Sequence, residues 1–407
     1  MSHQRAITLV FAVHGAVAGS FATRIPWIQD QLGLSPGVLG VALLCPAIGA
    51  IIGMPMASRL AHRIGERPAI QLLLAMWCGQ LALPALAPAS VWLFGAMVLF
   101  GVTAGMSDVV MNAHAVGLER HLGRSIMTGL HGMWCVGSLA GAGAGMVAAQ
   151  LGVDARAHFG AVALVLLSVG LVSGRSLFTG RAGAAAPAPR RFVLPSKAIA
   201  GIGVVGFCGT FAEGATADWA AVYLTRVTDA GPGVAAASYT IFMLTMASAR
   251  LVADRFVRRF GPVAVVRCGG SVAATGGVLV VIARTPALGI AGFALLGLGV
   301  AAIVPLVFAA AGNAGRTPAE GVAGVATITY LSVLAAPAVT GWTADATSYP
   351  VAFAMITGVL VVMTLLAGVL KVRDELPAPA GGFPAPTSAP RGMEEQAQEE
   401  HASPASA

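Results

Sequence analysis

The stretch from Gly105 to Gly145 reads GMSDVVMNAHAVGLERHLGRSIMTGLHGMWCVGSLAGAGAG. An apolar helix carries Asp108, Asn112 and Glu119 into a short basic turn with Arg120 and Arg124. A second apolar helix leaves through His131 and the glycines Gly137, Gly141 and Gly145. Acidic and amide groups inside one hydrophobic helix, followed by a glycine-rich hydrophobic helix, form the pattern of a polytopic membrane protein with a polar interior pathway.

Composition points the same way. Of 407 residues, 57% are hydrophobic and 10% charged, with a mean hydropathy of +0.82. A soluble domain carries about 25% charged residues, so a deficit this large calls for lipid as the solvent. The net charge of +7 does not mark a nucleic-acid binder, because the basic residues fall in short loops between apolar runs. The five cysteines, Cys45, Cys78, Cys135, Cys208 and Cys268, lie in or beside apolar runs and read as small buried hydrophobes. The first apolar run, 6–23, leads into Arg24 and Pro26 without an A-x-A site and is kept as a mature helix.

A bilayer core about 30 Å thick takes roughly 20 apolar residues per helix. Runs free of Asp, Glu, Lys and Arg occupy 6–23, 36–58, 68–107, 125–153, 157–174, 198–212, 230–249, 268–283, 285–315, 321–344 and 346–370. Pro84 and Pro88 divide the 68–107 run into two helices. Glu213 interrupts a helix that resumes to Leu224. The expectation is an all-α integral membrane protein of twelve transmembrane helices. With the N-terminus in the cytoplasm, only Arg24, Arg156, Arg226 and Arg284 of the 24 Lys and Arg residues lie outside. Both termini are therefore expected to be cytoplasmic.

The loop 176–197, SLFTGRAGAAAPAPRRFVLPSK, is the longest internal one and divides six helices from six. The expected organisation is an N-terminal six-helix bundle at 1–175, a cytoplasmic linker at 176–197, a C-terminal six-helix bundle at 198–371 and a disordered Pro/Ala/Glu-rich tail at 372–407. The halves echo each other. Ser35-Pro36-Gly37-Val38 opens the second helix and Gly231-Pro232-Gly233-Val234 the eighth. SRLAHRIGER (Ser58 to Arg67) follows the second helix and ARLVADRFVRRFG (Ala249 to Gly261) the eighth. This is the pattern of a parallel repeat about an axis along the membrane normal.

At these residues the chain resembles the major facilitator superfamily, whose loop signature is roughly G-x-L-A-D-R-x-G-R-R. Leu60, Ala61, Arg63, Gly65 and Arg67 match it. Ser58, His62 and Glu66 depart from it, and the second copy keeps Asp254-Arg255. The departure at His62 puts in doubt the charge relay attributed to that loop. ATRIPWIQDQLGLS (Ala22 to Ser35), SDVVMNAHAVGLERHLGRSIMTGLHG (Ser107 to Gly132) and AEGATADWAAVYL (Ala212 to Leu224) look like the MosC-like bacterial group. The resemblance implies two pseudo-symmetric six-helix bundles and a secondary transporter of the inner membrane. It also implies a central cavity lined by helices 1, 4, 7 and 10.

Ionisable groups at membrane depth face protein or water. Asp108, Asn112 and Glu119 share one helix face. Asp108 and Asn112 read either as a substrate or proton site facing the cavity, or as a structural hydrogen-bonding partner between helices. Glu119, with Arg120 and Arg124 nearby, reads as a structural or gate ion pair. Glu213 is the deepest carboxylate of the C-terminal half and the first choice for proton coupling. Its alternative is a carboxylate tied permanently across the bundle. Arg24 and Asp218 lie at the outer ends of helices one and seven and read either as an outer-gate pair or as side chains snorkelling into the headgroup region beside an interfacial Trp. Asp254 and Arg255 form a further candidate structural pair. His14 is placed to reach the cavity, whereas His114 and His131 read as packing residues. No histidine has metal-ligand spacing with another, and no P-loop, H-E-x-x-H, serine elbow or C-x-x-C occurs. The expectation is therefore a non-enzyme without cofactor. It works as a monomer in lipid and moves a small polar solute of sugar or polyol type by proton symport. A proton-antiport exporter of drugs or metabolites and a non-transporting solute sensor are the alternatives.

Overall fold

In the computed structural model the described residues are 1–123, 126–177, 197–314 and 318–371. The side chains at 120, 128, 197, 198, 254, 318–320, 322 and 323 also lie outside the description, as do the linker's residues 178–196 and the tail.

Twelve helices among these residues are long and apolar enough to cross a membrane. They are α1 His3–Ala22, α2 Pro36–Ile64, α3 Glu66–Leu86, α4 Ser90–Glu119, α5 Gly129–Gln150 and α6 Ala155–Gly174, then α7 Ile199–Val227, α8 Pro232–Ala253, α9 Arg255–Ile282, α10 Pro286–Ala314, α11 Gly324–Ala346 and α12 Tyr349–Leu370. The break between α3 and α4 falls at 87–89, where Pro88 cannot continue a helix. One end of the bundle carries the basic turns with Arg59, Arg63, Arg67, Arg258 and Arg259. It is called here the basic end. The other end has short, capped connections: Ser35, Asp154 and Ser348 accept from the amides of Val38, Arg156 and Val351 at the starts of α2, α6 and α12.

The repeat written in the sequence recurs in the backbone. The turn after α2 hinges on Gly65 (φ 90°, ψ 154°), and the second copy kinks on Gly261 (φ 78°, ψ 164°) in the first part of α9. Side chains rarely adopt either conformation, so both copies of the signature require glycine there. The exposed His62 makes no ion pair in the first copy. Instead the neighbouring Glu66 meets His114 of α4 at 3.1 Å, and Arg67 donates to the Gly174 carbonyl of α6 at 3.1 Å.

Packing follows the small residues. α1 lies on α5 and α2 on α4; likewise α7 lies on α11, and α10 on α9. Gly15 and Gly19 face the backbone at Trp134 and Ser138, while Gly137 and Gly141 face the carbonyls of Ala12 and Ala16. Gly49 and Gly53 sit against Val98 and Val102 of α4. A Cβ at these sites would overlap backbone, so the glycines set the interaxial distance. Between the first six helices and the last six, α2 packs on α11 and α5 on α8.

Candidate functional site

The two sets of six helices meet at the end away from the basic turns. The short helix Ile25–Leu32 after α1 supplies Gln29, whose Nε2 donates to the Tyr349 hydroxyl of α12 at 3.1 Å. Arg226 of α7 donates to Gln29 Oε1 at 3.3 Å and pairs with Asp30. Below this layer Trp219 is fully buried, and Gly37 and Gly40 of α2 lie against Trp342, Asp345 and Pro337 of α11. Gly233 at the start of α8 lies against Gln150 at the end of α5. The seal reaches inward as far as Ser138 of α5, whose hydroxyl lies 3.3 Å from that of Tyr239 on α8.

Polar groups from both sides collect between this seal and the basic end. Asp108 of α4 lies 11 residues from Glu119, about 16 Å at ~1.5 Å per residue. Asn112 Nδ2 donates to its carboxylate at 3.0 Å and to its carbonyl at 2.9 Å. Two groups within electrostatic reach of Asp108 come from other helices: His131 of α5, and Tyr330 of α11 on the opposite side. His131 is exposed and Tyr330 is 58% exposed. Glu213 sits 14 residues into α7 from Ile199, about 21 Å by the same rise. Its two oxygens receive Arg250 Nη2 of α8 at 3.0 and 3.1 Å. Tyr239 lies within reach of Glu213, Asp218 and Cys135. Among the described residues this region holds a carboxylate on each side, an ion pair, two phenols, an amide and an imidazole.

Several expected placements change. Arg24 and Asp218 do not pair. Arg24 is 3% exposed, donates to the Val153 carbonyl and has Asp154 as its nearest opposing charge. Burial holds this guanidinium below its ordinary value, and Asp154 opposes the shift. The ion pair joining the two sides at this end is Arg226–Asp30 instead. His14 does not reach this region: it is 7% exposed, stacks on Trp77 at 5.0 Å, and its Nδ1 accepts from Trp134 Nε1 at 3.1 Å. Glu119 caps the next helix, accepting from the amides of Ile126 at 2.7 Å and Met127 at 3.1 Å. The side chains of Arg120, Arg124 and Asp254 lie outside the described residues, and Arg255 is exposed.

Sequence reasoning missed Arg250, which it counted among loop residues, although α8 runs past it to Ala253. Its place one helical turn before Asp254, directly behind an apolar run, was the available signal. Gln29, Tyr239, Tyr330 and Tyr349 were missed because a single hydroxyl or amide in an apolar run has no pattern until its partner is known.

Comparisons with known proteins agree with the twelve-helix fold. The family model of the Major Facilitator Superfamily matches residues 7–314 and 202–391. An uncharacterized MFS-type transporter of Yersinia pestis is 33% identical over 369 residues, covering 90% of this chain and 95% of that protein. Membrane protein MosC of Rhizobium meliloti is 30% identical over 345 residues, covering 84% of this chain and 83% of that one. Among solved structures, the nucleoside transporter NupG superposes with a TM-score of 0.75 at 12% identity, covering 91% of this chain and 100% of that one. A bacterial homolog of the human lysosomal transporter Spinster, in an inward-facing and occupied conformation, gives 0.71 at 14% identity, covering 90% and 95%. The chain, with its twelve helices, belongs to the Major Facilitator Superfamily of membrane transporters.

Proposed function

We propose that the chain is a secondary active transporter that carries a small polar solute across the bacterial cytoplasmic membrane by alternating access, coupled to protons. The observation behind this reading is the pair of carboxylates, Asp108 and Glu213, one from each set of six helices, between the basic end and the end sealed by Gln29 and Tyr349. A carboxylate so placed can take up and release a proton as the surrounding dielectric and partners change. The seal is built of separate side-chain contacts between two sets of helices, so it can part without unfolding either set.

The surplus of basic residues places the basic end, and both termini, in the cytoplasm. In that orientation Gln29, Asp30, Arg226 and Tyr349 would form the outer gate, closed in an inward-facing state. Asn112, Tyr239, Tyr330 and the carboxylates supply the donors and acceptors that a hydroxyl-rich solute of sugar or polyol type would use. The pathway lies within one chain, so a monomer suffices.

The test is a thermal-shift screen of the detergent-purified protein against sugars, polyols, amino acids, organic acids and lipophilic cations at pH 5.5 and 7.5. A ligand that binds the folded state raises the melting temperature by mass action. A sugar or polyol that stabilises the wild type, and does so less for Glu213→Gln and Asp108→Asn, supports the reading. Stabilisation by lipophilic cations alone replaces it with an antiport exporter.

A further inference from the structure

α10 is made of two helical pieces, Pro286–Val300 and Ile303–Ala314, joined through Ala301 and Ala302. The cause is Pro305. In an unbroken helix the amide of residue 305 would donate to the carbonyl of residue 301, and proline has no such amide. The Ala301 carbonyl therefore needs another donor, since an unsatisfied backbone group inside a membrane is costly. Arg250 supplies it: its Nε–H donates to Ala301 O at 3.1 Å, while its Nη2 holds both oxygens of Glu213. One planar guanidinium thus binds α8 to the carboxylate on α7 and to the broken turn of α10. The Arg250 and Glu213 side chains are 29% and 26% exposed, so the junction is only partly enclosed.

We infer that Arg250 is a positioning residue that couples the charge of Glu213 to the break in α10. While Glu213 is a carboxylate, its two oxygens fix the guanidinium in the orientation that caps Ala301. When Glu213 is neutralised, the guanidinium loses its bidentate anchor and the cap on Ala301 is released. Among the described residues, Tyr239 of α8 feels the charge of Glu213, and Asp218 and Cys135 also act on Tyr239. The break then becomes free to change its bend. Lysine cannot replace arginine here, because a point ammonium lacks the fork that serves a carboxylate and a carbonyl together.

The inference rests on the transport reading only for its consequence, and its test requires no solute. Amide hydrogen exchange of the segment 298–309 is measured on the full chain in lipid nanodiscs. Glu213→Gln and Arg250→Lys are each expected to speed exchange there about fivefold, the net worth of one hydrogen bond. Exchange in α1 and α12 should stay at the wild-type rate, which shows that the variants are folded. Pro305→Ala restores the missing amide. In its background both substitutions should leave the segment at or below the wild-type rate.

Wild-type exchange in Glu213→Gln overturns the coupling. Wild-type exchange in Arg250→Lys shows that charge alone suffices and overturns the role of the fork. Fast exchange persisting in Pro305→Ala/Glu213→Gln overturns the role of the Ala301 carbonyl. A solute that fails to stabilise the protein would refute the transport reading and leave this result standing.

Discussion

Replacing Gln29 by alanine should open the sealed end more than removing the ion pair beside it. Gln29 is 2% exposed and uses its whole amide. Nε2 donates to the Leu34 carbonyl at 3.2 Å and to Tyr349 Oη at 3.1 Å, and Oε1 accepts from Arg226 at 3.3 Å. Two of these bonds cross between the first six helices and the last six. At a net worth of about 0.5–1.5 kcal/mol each, losing both removes about 2 kcal/mol from the sealed state. The ratio of open to sealed molecules should then rise about 30-fold, at ~1.4 kcal/mol per tenfold.

Asp30→Asn removes a pair whose side chains are 37% and 53% exposed. Such pairs contribute about 0–1 kcal/mol, so at most a fivefold shift is expected. Tyr349→Phe should fall between, and combined with Gln29→Ala it should add little, because the two share one bond. Spin labels at the exposed positions Gln31 and Asp229, in a Cys268→Ser background, would report the distance distribution across the seal by double electron–electron resonance. A larger open population for Asp30→Asn than for Gln29→Ala would refute the reasoning. Strict additivity of Gln29→Ala and Tyr349→Phe would also do so.

Two further substitutions test the packing. Gly137→Val drives a side chain into the Ala12 carbonyl. It should destabilise the protein by about 1–3 kcal/mol, seen as a lower melting temperature in detergent. Gly143→Ala has open space at its Cβ and should stay near wild type. Arg24→Met removes the buried guanidinium's bond to the Val153 carbonyl and should cost about 0.5–1.5 kcal/mol. The charge swap Arg24→Asp with Asp218→Arg should not recover that loss in a thermal melt, since the two side chains do not meet.

The sequence by itself determined the membrane class, the twelve spans, the repeat and the family resemblance. Each is carried by local periodicity or composition: apolar run length, the Pro84 and Pro88 break, and the glycine turn written twice at Gly65 and Gly261. The helix-packing glycines were legible too, because small residues four apart lie on one helix face. It also marked Asp108, Asn112 and Glu213 as costly groups at membrane depth. Asp108 and Asn112 are partners one helical turn apart, but the partner of Glu213 was decided by tertiary structure alone. Arg250 read as a loop cation because charge in a sequence is assigned to the nearest gap between apolar runs. Only the packing of α8 on α7 and α10 turns it inward, toward a carboxylate and a carbonyl that Pro305 left without a donor. His14 looked free to face the pathway until Trp77 and Trp134, from two other helices, enclosed it. Arg24 and Arg226 are alike in sequence, yet one is buried on a carbonyl within its own half and the other crosses to Asp30. A hydrogen bond between residues 320 apart, such as Gln29 to Tyr349, leaves no mark in local periodicity, because its partners are chosen by where whole helices come to rest.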